Sequence, residues 1–408
     1  MVTHPAQLFL TSALGRLSAV VLILALTLLY FASRPRRVIV ERNQQTGSAR
    51  VRSHEDSRSR HRRATITVAA LLMLVFVFAG KWVVSAFYPR GQDARASEAT
   101  TVSMLPGATG SSLAVVRQGP MGAPTLVLTH GWGADRGDWR YVADALSKDF
   151  HLVLWDLPGL GESTPTEGHD YSMQALASDL DRVVDSVNGP VILVGHSVGG
   201  ILNLEYARRY PDKMGRKVRG VIQVNTTFTN PVETKKNPDL SRSLQKPVFE
   251  PLLHAVSATS PMVRAFGWLA YQSGMAHLQL ASQSFAGAET WNQLDHMASY
   301  AYRSSPRVIA QGVLGMLHWD GTDVLGRINV PTLVISGNED VTTLPWASDR
   351  MARDIPSATR ISVDLAAHMG PVEQYERYAG AIAQFVGRIP GREGVEPGVR
   401  TETSAPVR

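Results

Sequence analysis

Cysteine is absent from all 408 residues, which excludes disulfides, a thiol nucleophile and thiolate metal sites, and leaves oxidising and reducing compartments both open. Charge is missing from two long stretches. Residues 17–33, "LSAVVLILALTLLYFAS", hold no Asp, Glu, Lys or Arg, and 64–80, "ATITVAALLMLVFVFAG", are equally bare before Lys81 and "WVVSAFY". Runs of this length reach across a hydrocarbon core of about 30 Å. Apolarity around the whole helix, with Tyr30, Phe31, Trp82 and Tyr88 near the ends, favours spanning helices over buried core helices. No internal repeat is present, which sets repeat architectures aside.

The net charge of +6 is local. Ten arginines lie between residues 34 and 63, against Glu41, Glu55 and Asp56. Such a segment between two apolar runs reads as a cytoplasmic loop under the positive-inside rule, not as a nucleic-acid surface. Both chain ends and everything after Tyr88 are then expected outside the cytoplasm. A cleaved signal peptide fits less well, because the basic residues follow the first apolar run and only Arg16 precedes it.

The pattern predicts two membrane helices, about 17–33 and 64–88, within a unit covering 1–88, then a small, polar, unpatterned linker over 89–110. Short apolar runs then alternate with helical ones. "SLAVVRQ", "TLVLTHG", "HLVLWDLPG", "VILVGHS", "VRGVIQVN", "PTLVISG" and "TRISVD" read as mostly parallel strands. The segments between them have helical spacing, so the fold class is α/β with a doubly wound sheet over 111–389. Residues 226–327 break the alternation. A hundred residues are too many for a loop, so a helical insertion over the end of the sheet is expected. The tail, 390–408, is polar and rich in Pro and Gly, and reads as disordered.

In "VILVGHSVGG", residues 191–200, a buried strand runs into Gly195-His196-Ser197-Val198-Gly199 and then a helix. An ordinary Gly/Ser turn has the same letters; strand before and helix after turn the pattern into a nucleophile elbow. The serine then stands at a helix N-terminus, where free N–H groups favour an oxyanion. A serine hydroxyl needs a base to take its proton and a carboxylate to orient that base. His368, in "VDLAAHMGPVEQ" between the last strand and the last helix, is the candidate base. "SGNED" after the preceding strand offers Asp340, with Glu339 as the alternative acid; the loop after "VIQVN" has no carboxylate before Glu233. "THGWG" turns the chain at a strand end, so the backbone N–H groups of Trp132 and Val198 are the candidate oxyanion donors, unless Gly131 and Gly133 serve only a helix entry.

These motifs, "HGWG", "DLPGLGES", "GHSVGG", "SGNED" and "AAHMGPVE", resemble the α/β-hydrolase superfamily in both content and order. The resemblance implies that Asp156 and the glycines of "DLPGLGES" are structural and that the insertion is a cap. It disfavours relatives with an aspartate nucleophile, because the elbow carries Ser197. The expectation is a membrane-anchored serine hydrolase that cleaves a carboxylic ester through an acyl-enzyme, with no metal and no organic cofactor. The rich supply of Leu, Met, Phe and Trp in the insertion suggests a lipophilic substrate, and His130, His196, Phe266 and Trp268 are candidate pocket residues. An acyltransferase, a perhydrolase or a carbon–carbon bond hydrolase would carry the same triad. A membrane-anchored binding or scaffold protein is the non-enzymatic alternative.

Overall fold

The computed structural model describes residues 4–33, 39–42, 49–52, 57–91, 101–234 and 237–389. The chain begins with α1 (His4–Ser33), a short antiparallel hairpin of β1 (Ile39–Arg42) and β2 (Ala49–Arg52), and α2 (Ser57–Ser85). Then come β3 (Ser103–Pro106), β4 (Ser112–Gln118), β5 (Thr125–Thr129), α3 (Arg140–Leu146), β6 (His151–Trp155), α4 (Met173–Asp185), β7 (Val191–His196), α5 (Val198–Arg209) and β8 (Val218–Val224). Six helices follow without a strand: α6 (Pro238–Leu244), α7 (Glu250–Ala258), α8 (Ser260–Gln272), α9 (Met275–Ser284), α10 (Trp291–Arg303) and α11 (Pro306–Leu317). The alternation resumes with β9 (Thr332–Gly337), α12 (Pro345–Asp354), β10 (Ala358–Val363), α13 (Gly370–Glu373) and α14 (Tyr375–Gly387).

Eight strands form one sheet in the order β10-β9-β8-β7-β5-β6-β4-β3. β5 to β10 run parallel, while β4 pairs antiparallel with β6, and β3 antiparallel with β4. The central strands are apolar on both faces, as strands covered by helices on each side must be. Along β7, Val191 and Leu193 enter the core under α4, α5 and α12, while Ile192 and Val194 enter the one under α3 and α14. Each such side chain contributes about 1.5–3 kcal/mol on burial. Crossing from strand to helix at the same sheet edge puts the loops after β5, β7, β9 and β10 together, where ligands of open α/β sheets bind.

Three boundaries differ from the sequence reading. The stretch expected as a linker over 89–110 contributes β3, an edge strand held by its backbone pairing to β4, whose partly exposed side chains give no alternation to read. The second apolar helix begins at Ser57, because Arg60 to Arg63 continue the helix beyond the apolar run, and it ends at Ser85, short of Tyr88. The first begins at His4. Most of the arginine-rich segment outside β1 and β2, and the tail beyond 389, lie outside the described residues.

Two helices, α1 and α2, are long and apolar enough to cross a membrane, with windows of mean hydropathy 2.0 and 2.2. They pack on each other and on α8 and α9. Ser18 Oγ lies 3.0 Å from Ser273 Oγ, and Phe78 packs 6.1 Å from the ring of Trp268. Gly80 admits the backbone of Ser273 so closely that a Cβ there would strike its carbonyl.

Candidate active site

The turn from β7 to α5 places Ser197 at φ +54°, ψ −118°, a backbone region that side chains rarely adopt. Steric necessity explains its glycines. A Cβ on Gly195 would meet the backbone of Gly199, one on Gly199 the backbone of Thr129, and one on Gly200 the side chain of Thr226. The strain is held by main-chain bonds: Ser197 N–H donates to Val224 O at 3.0 Å, and Gly200 N–H to Ser197 O at 2.9 Å.

His368 and Asp340 converge on that serine from loops more than a hundred residues away. His368 Nε2 lies 3.1 Å from Ser197 Oγ, and its Nδ1 3.0 Å from Asp340 Oδ2. Asp340 is buried; burial pushes its carboxyl upward, but the charge and hydrogen bond of His368 and the bonds from Thr343 outweigh it and hold the carboxyl below the usual range. Its Oδ1 accepts the N–H groups of Thr342 and Thr343 at 2.8 and 2.9 Å, and its Oδ2 accepts Thr343 Oγ1–H at 2.7 Å. Glu339 next to it is exposed, and its N–H donates to Ala366 O instead.

The loop after β5 forms the facing wall. Neither the N–H of Trp132 nor that of Val198 has an acceptor among the described residues. The helical insertion α6–α11, called the cap below, clamps this loop. Trp132 Nε1–H donates to Ile309 O at 3.0 Å and its ring fills the space left by Gly312, while Ser304 Oγ–H donates to Gly133 O at 2.6 Å. Asp135 accepts Tyr300 Oη–H at 2.6 Å and Arg303 at 2.8 Å. Between loop and cap lies a cavity of about 200 Å³, lined by Ser197, His368 and Trp132 and by Leu280, Met297, Ile309 and Val313 of the cap.

The four candidate pocket residues fall in different places. His196 lines the cavity, but both its ring nitrogens are occupied, Nδ1 by Asp138 at 2.6 Å and Nε2 by the carbonyl of His368 at 3.0 Å. His130 is buried outside it, with Nδ1 bonded to Gly131 O at 2.8 Å and Nε2 accepting Leu157 N–H at 3.0 Å, which ties the ends of β5 and β6. Phe266 and Trp268 do not line it either. Gly267 presses α8 against Ala301 of α10, which leaves Trp268 facing α2.

Three supporting residues carried no signal at sequence level. Asn225 Nδ2 donates to Ala367 O at 2.7 Å and His368 O at 3.0 Å. Glu373 accepts Ala367 N–H at 2.7 Å and Ala286 N–H at 2.9 Å, joining the His368 loop to the cap. Asp138 binds Gly131 N–H at 2.9 Å as well as His196. Each has at least one partner far away in sequence, Ala367 and His368 for Asn225, Ala286 for Glu373 and His196 for Asp138, and no local spacing announces them.

A strained serine between a parallel strand and a helix, on a sheet of this order and under a helical insertion, is the build of an α/β hydrolase. The chain belongs to the alpha/beta hydrolase fold family, whose profile matches residues 124–375, and it is a hydrolase. It is 27% identical over 256 residues to the magnesium-chelatase 30 kDa subunit of Rhodobacter capsulatus, covering 61% of this chain and 82% of that one. It is 25% identical over 291 residues to the pimeloyl-[acyl-carrier protein] methyl ester esterase of Neisseria meningitidis, covering 70% and 83%. Among solved structures, a thermophilic esterase from Thermogutta terrifontis superposes with a TM-score of 0.58 at 24% identity, over 71% of this chain and 99% of that one.

Proposed function

We propose that the chain is a membrane-anchored serine hydrolase that cleaves a lipophilic carboxylic ester. Ser197 Oγ attacks the acyl carbonyl while His368 Nε2 takes its proton. The tetrahedral oxyanion is held by the N–H groups of Trp132 and Val198, each worth about 3 kcal/mol in the transition state. His368 then protonates the departing alcohol, and water, activated by the same imidazole, releases the acid from the acyl-enzyme. Asp340 keeps His368 in the tautomer with Nδ1–H and stabilises its imidazolium.

The observation that carries this reading is the unbroken hydrogen-bonded relay from Ser197 through His368 to Asp340, at 3.1 and 3.0 Å. The ester substrate draws on the esterase among the relatives and on the apolar cavity wall. At about 200 Å³ the cavity falls below the roughly 300–1,000 Å³ of pockets that engulf a drug-sized ligand. It therefore receives one apolar arm of the ester rather than a whole long-chain lipid. Anchoring rests on α1 and α2, whose large apolar side chains stand exposed, Ile23 and Leu72 both at 64%. With the arginine-rich loop inside, the catalytic portion faces away from the cytoplasm. In this organisation the hairpin ends at about residue 88, the helical cap spans 226–327, and the tail follows 389.

Hydrolysis of p-nitrophenyl esters of increasing chain length tests the reading. Activity is expected to rise beyond acetyl to a medium-length acyl chain, and Ser197→Ala is expected to lower kcat by roughly 10⁴-fold or more. A maximum at acetyl with nothing beyond butyryl contradicts the lipophilic substrate. Undiminished turnover by Ser197→Ala contradicts the nucleophile.

A further inference from the structure

Behind the nucleophile lies a second, fully buried histidine–carboxylate pair that the reaction does not use. Every polar position of His196 meets an acceptor: Nδ1 faces Asp138 Oδ2 at 2.6 Å and Nε2 faces the carbonyl oxygen of His368 at 3.0 Å. A carbonyl never donates, so Nε2 carries a proton. Asp138 Oδ2 also accepts Gly131 N–H at 2.9 Å, so it acts as an acceptor toward the turn that carries Trp132. A carboxylate facing an imidazolium with both nitrogens protonated satisfies all three bonds with charge assistance, whereas the neutral pair satisfies them only if Asp138 Oδ2 donates to Nδ1 while it accepts Gly131 N–H. Burial disfavours each charge, but for Asp138 the pull of His196 and the Gly131 bond prevail and hold the carboxyl at about 2; for His196 the Asp138 charge likewise prevails and raises the ring.

We infer that Asp138 is a positioning residue for the proposed triad and that it acts through a permanently protonated His196. The carboxylate ties the turn that presents the Trp132 N–H to the His196 ring, and the ring holds the backbone of His368. One ion pair thus sets the distance between the oxyanion donors and the general base. The charges are not symmetrically placed. Asp138 sits on the Nδ1 side, away from His368, whereas the His196 ring lies 5.0 Å from the His368 ring. The other titratable groups facing the pair are Asp340 after β9, His130 after β5, and His296 and Tyr300 of α10. Trp139 packs T-shaped against the His196 ring, with the ring centres 6.1 Å apart.

This inference rests on the serine-hydrolase reading, and its tests fail separately from it. In the wild-type chain, ¹⁵N-histidine NMR is expected to show both His196 nitrogens protonated from pH 6 to pH 9, the signals being assigned by their loss in His196→Asn. An unprotonated nitrogen at pH 7 overturns the inference whatever the catalytic result. Asp138→Asn lets His196 become neutral, which removes a cation beside His368 and favours the His368 imidazolium. Its acid limb of kcat/KM is therefore expected to move to higher pH, with kcat lowered roughly 10- to 100-fold and KM within about twofold. Because Asp138 acts through His196, Asp138→Asn/His196→Asn is expected to be no slower than the worse single variant. An unmoved acid limb, or a double variant that loses the product of the two single factors, overturns the coupling. If instead wild-type turnover does not depend on Ser197, it is the hydrolase reading that falls.

Discussion

Asn225 uses all its side-chain hydrogen-bonding capacity on the loops around the site. Its Nδ2 holds the carbonyls of Ala367 and His368, and its Oδ1 accepts Gly337 N–H and Tyr378 Oη–H, both at 3.0 Å. It stands at φ +42°, which Asn tolerates better than most residues. Asn225→Ala leaves the buried N–H of Gly337 and hydroxyl of Tyr378 unpaired, each at about 1–3 kcal/mol. Chemical denaturation is expected to show a loss of roughly 2–5 kcal/mol together with slower turnover; a change under 0.5 kcal/mol, about the noise of a surface substitution, contradicts this role. The same residue marks where sequence reading stops. Ser197, Asp340 and His368 stood out because each follows a strand of the sheet, β7, β9 and β10, the first two of them fully buried, and the glycines around Ser197 advertise a turn too tight for a Cβ. Asn225 and Asp138 bond to partners chosen by tertiary folding, so their letters look like any polar loop residue. Phe266 and Trp268 misled for the converse reason: apolar residues on a cap helix look alike whether they face a cavity or a neighbouring helix.

At the level of elements, strands of the central sheet announce themselves by being apolar on both faces, and the helices beside them by one apolar stripe. β3 gave no such signal, since an edge strand needs only backbone pairing. The cap was legible as an interruption but its attachment was not. Glu373 provides one attachment, joining Ala286 of the cap to Ala367 beside His368. Burial pushes its carboxyl up to about 7 against the pull of those N–H groups. Because the folded value lies above the ordinary 4.5, the folded state binds the proton more tightly than the unfolded one. The resulting stability is fully present below pH 4.5 and is lost as pH rises through about 7. Melting temperatures from pH 4 to pH 8 are expected to fall more for the wild type than for Glu373→Gln, which cannot ionise. Parallel curves contradict the link.

Across the whole molecule, the two apolar helices were plain in the sequence, whereas their seat on the cap depends on close approaches that no pattern encodes. Gly80 lies against the Ser273 backbone and Gly274 against Lys81 and Val84, while Lys81 Nζ stands 4.2 Å from the Tyr271 ring centre. Trp291 N–H donates to Pro89 O at 2.7 Å, so the segment leaving α2 is fastened to the start of α10. Gly80→Leu is expected to pry hairpin and cap apart, seen as faster limited proteolysis within α8 and α9; unchanged cleavage contradicts the docking. The proposed catalysis depends on a serine made reactive by a histidine brought to it from the far end of the fold. The most direct measurement is mass-spectrometric mapping after exposure to a fluorophosphonate. A single adduct on Ser197 is expected in the wild-type chain and almost none in His368→Ala. A wild-type chain left unmodified at Ser197, or a His368→Ala chain modified at the same rate, would contradict it.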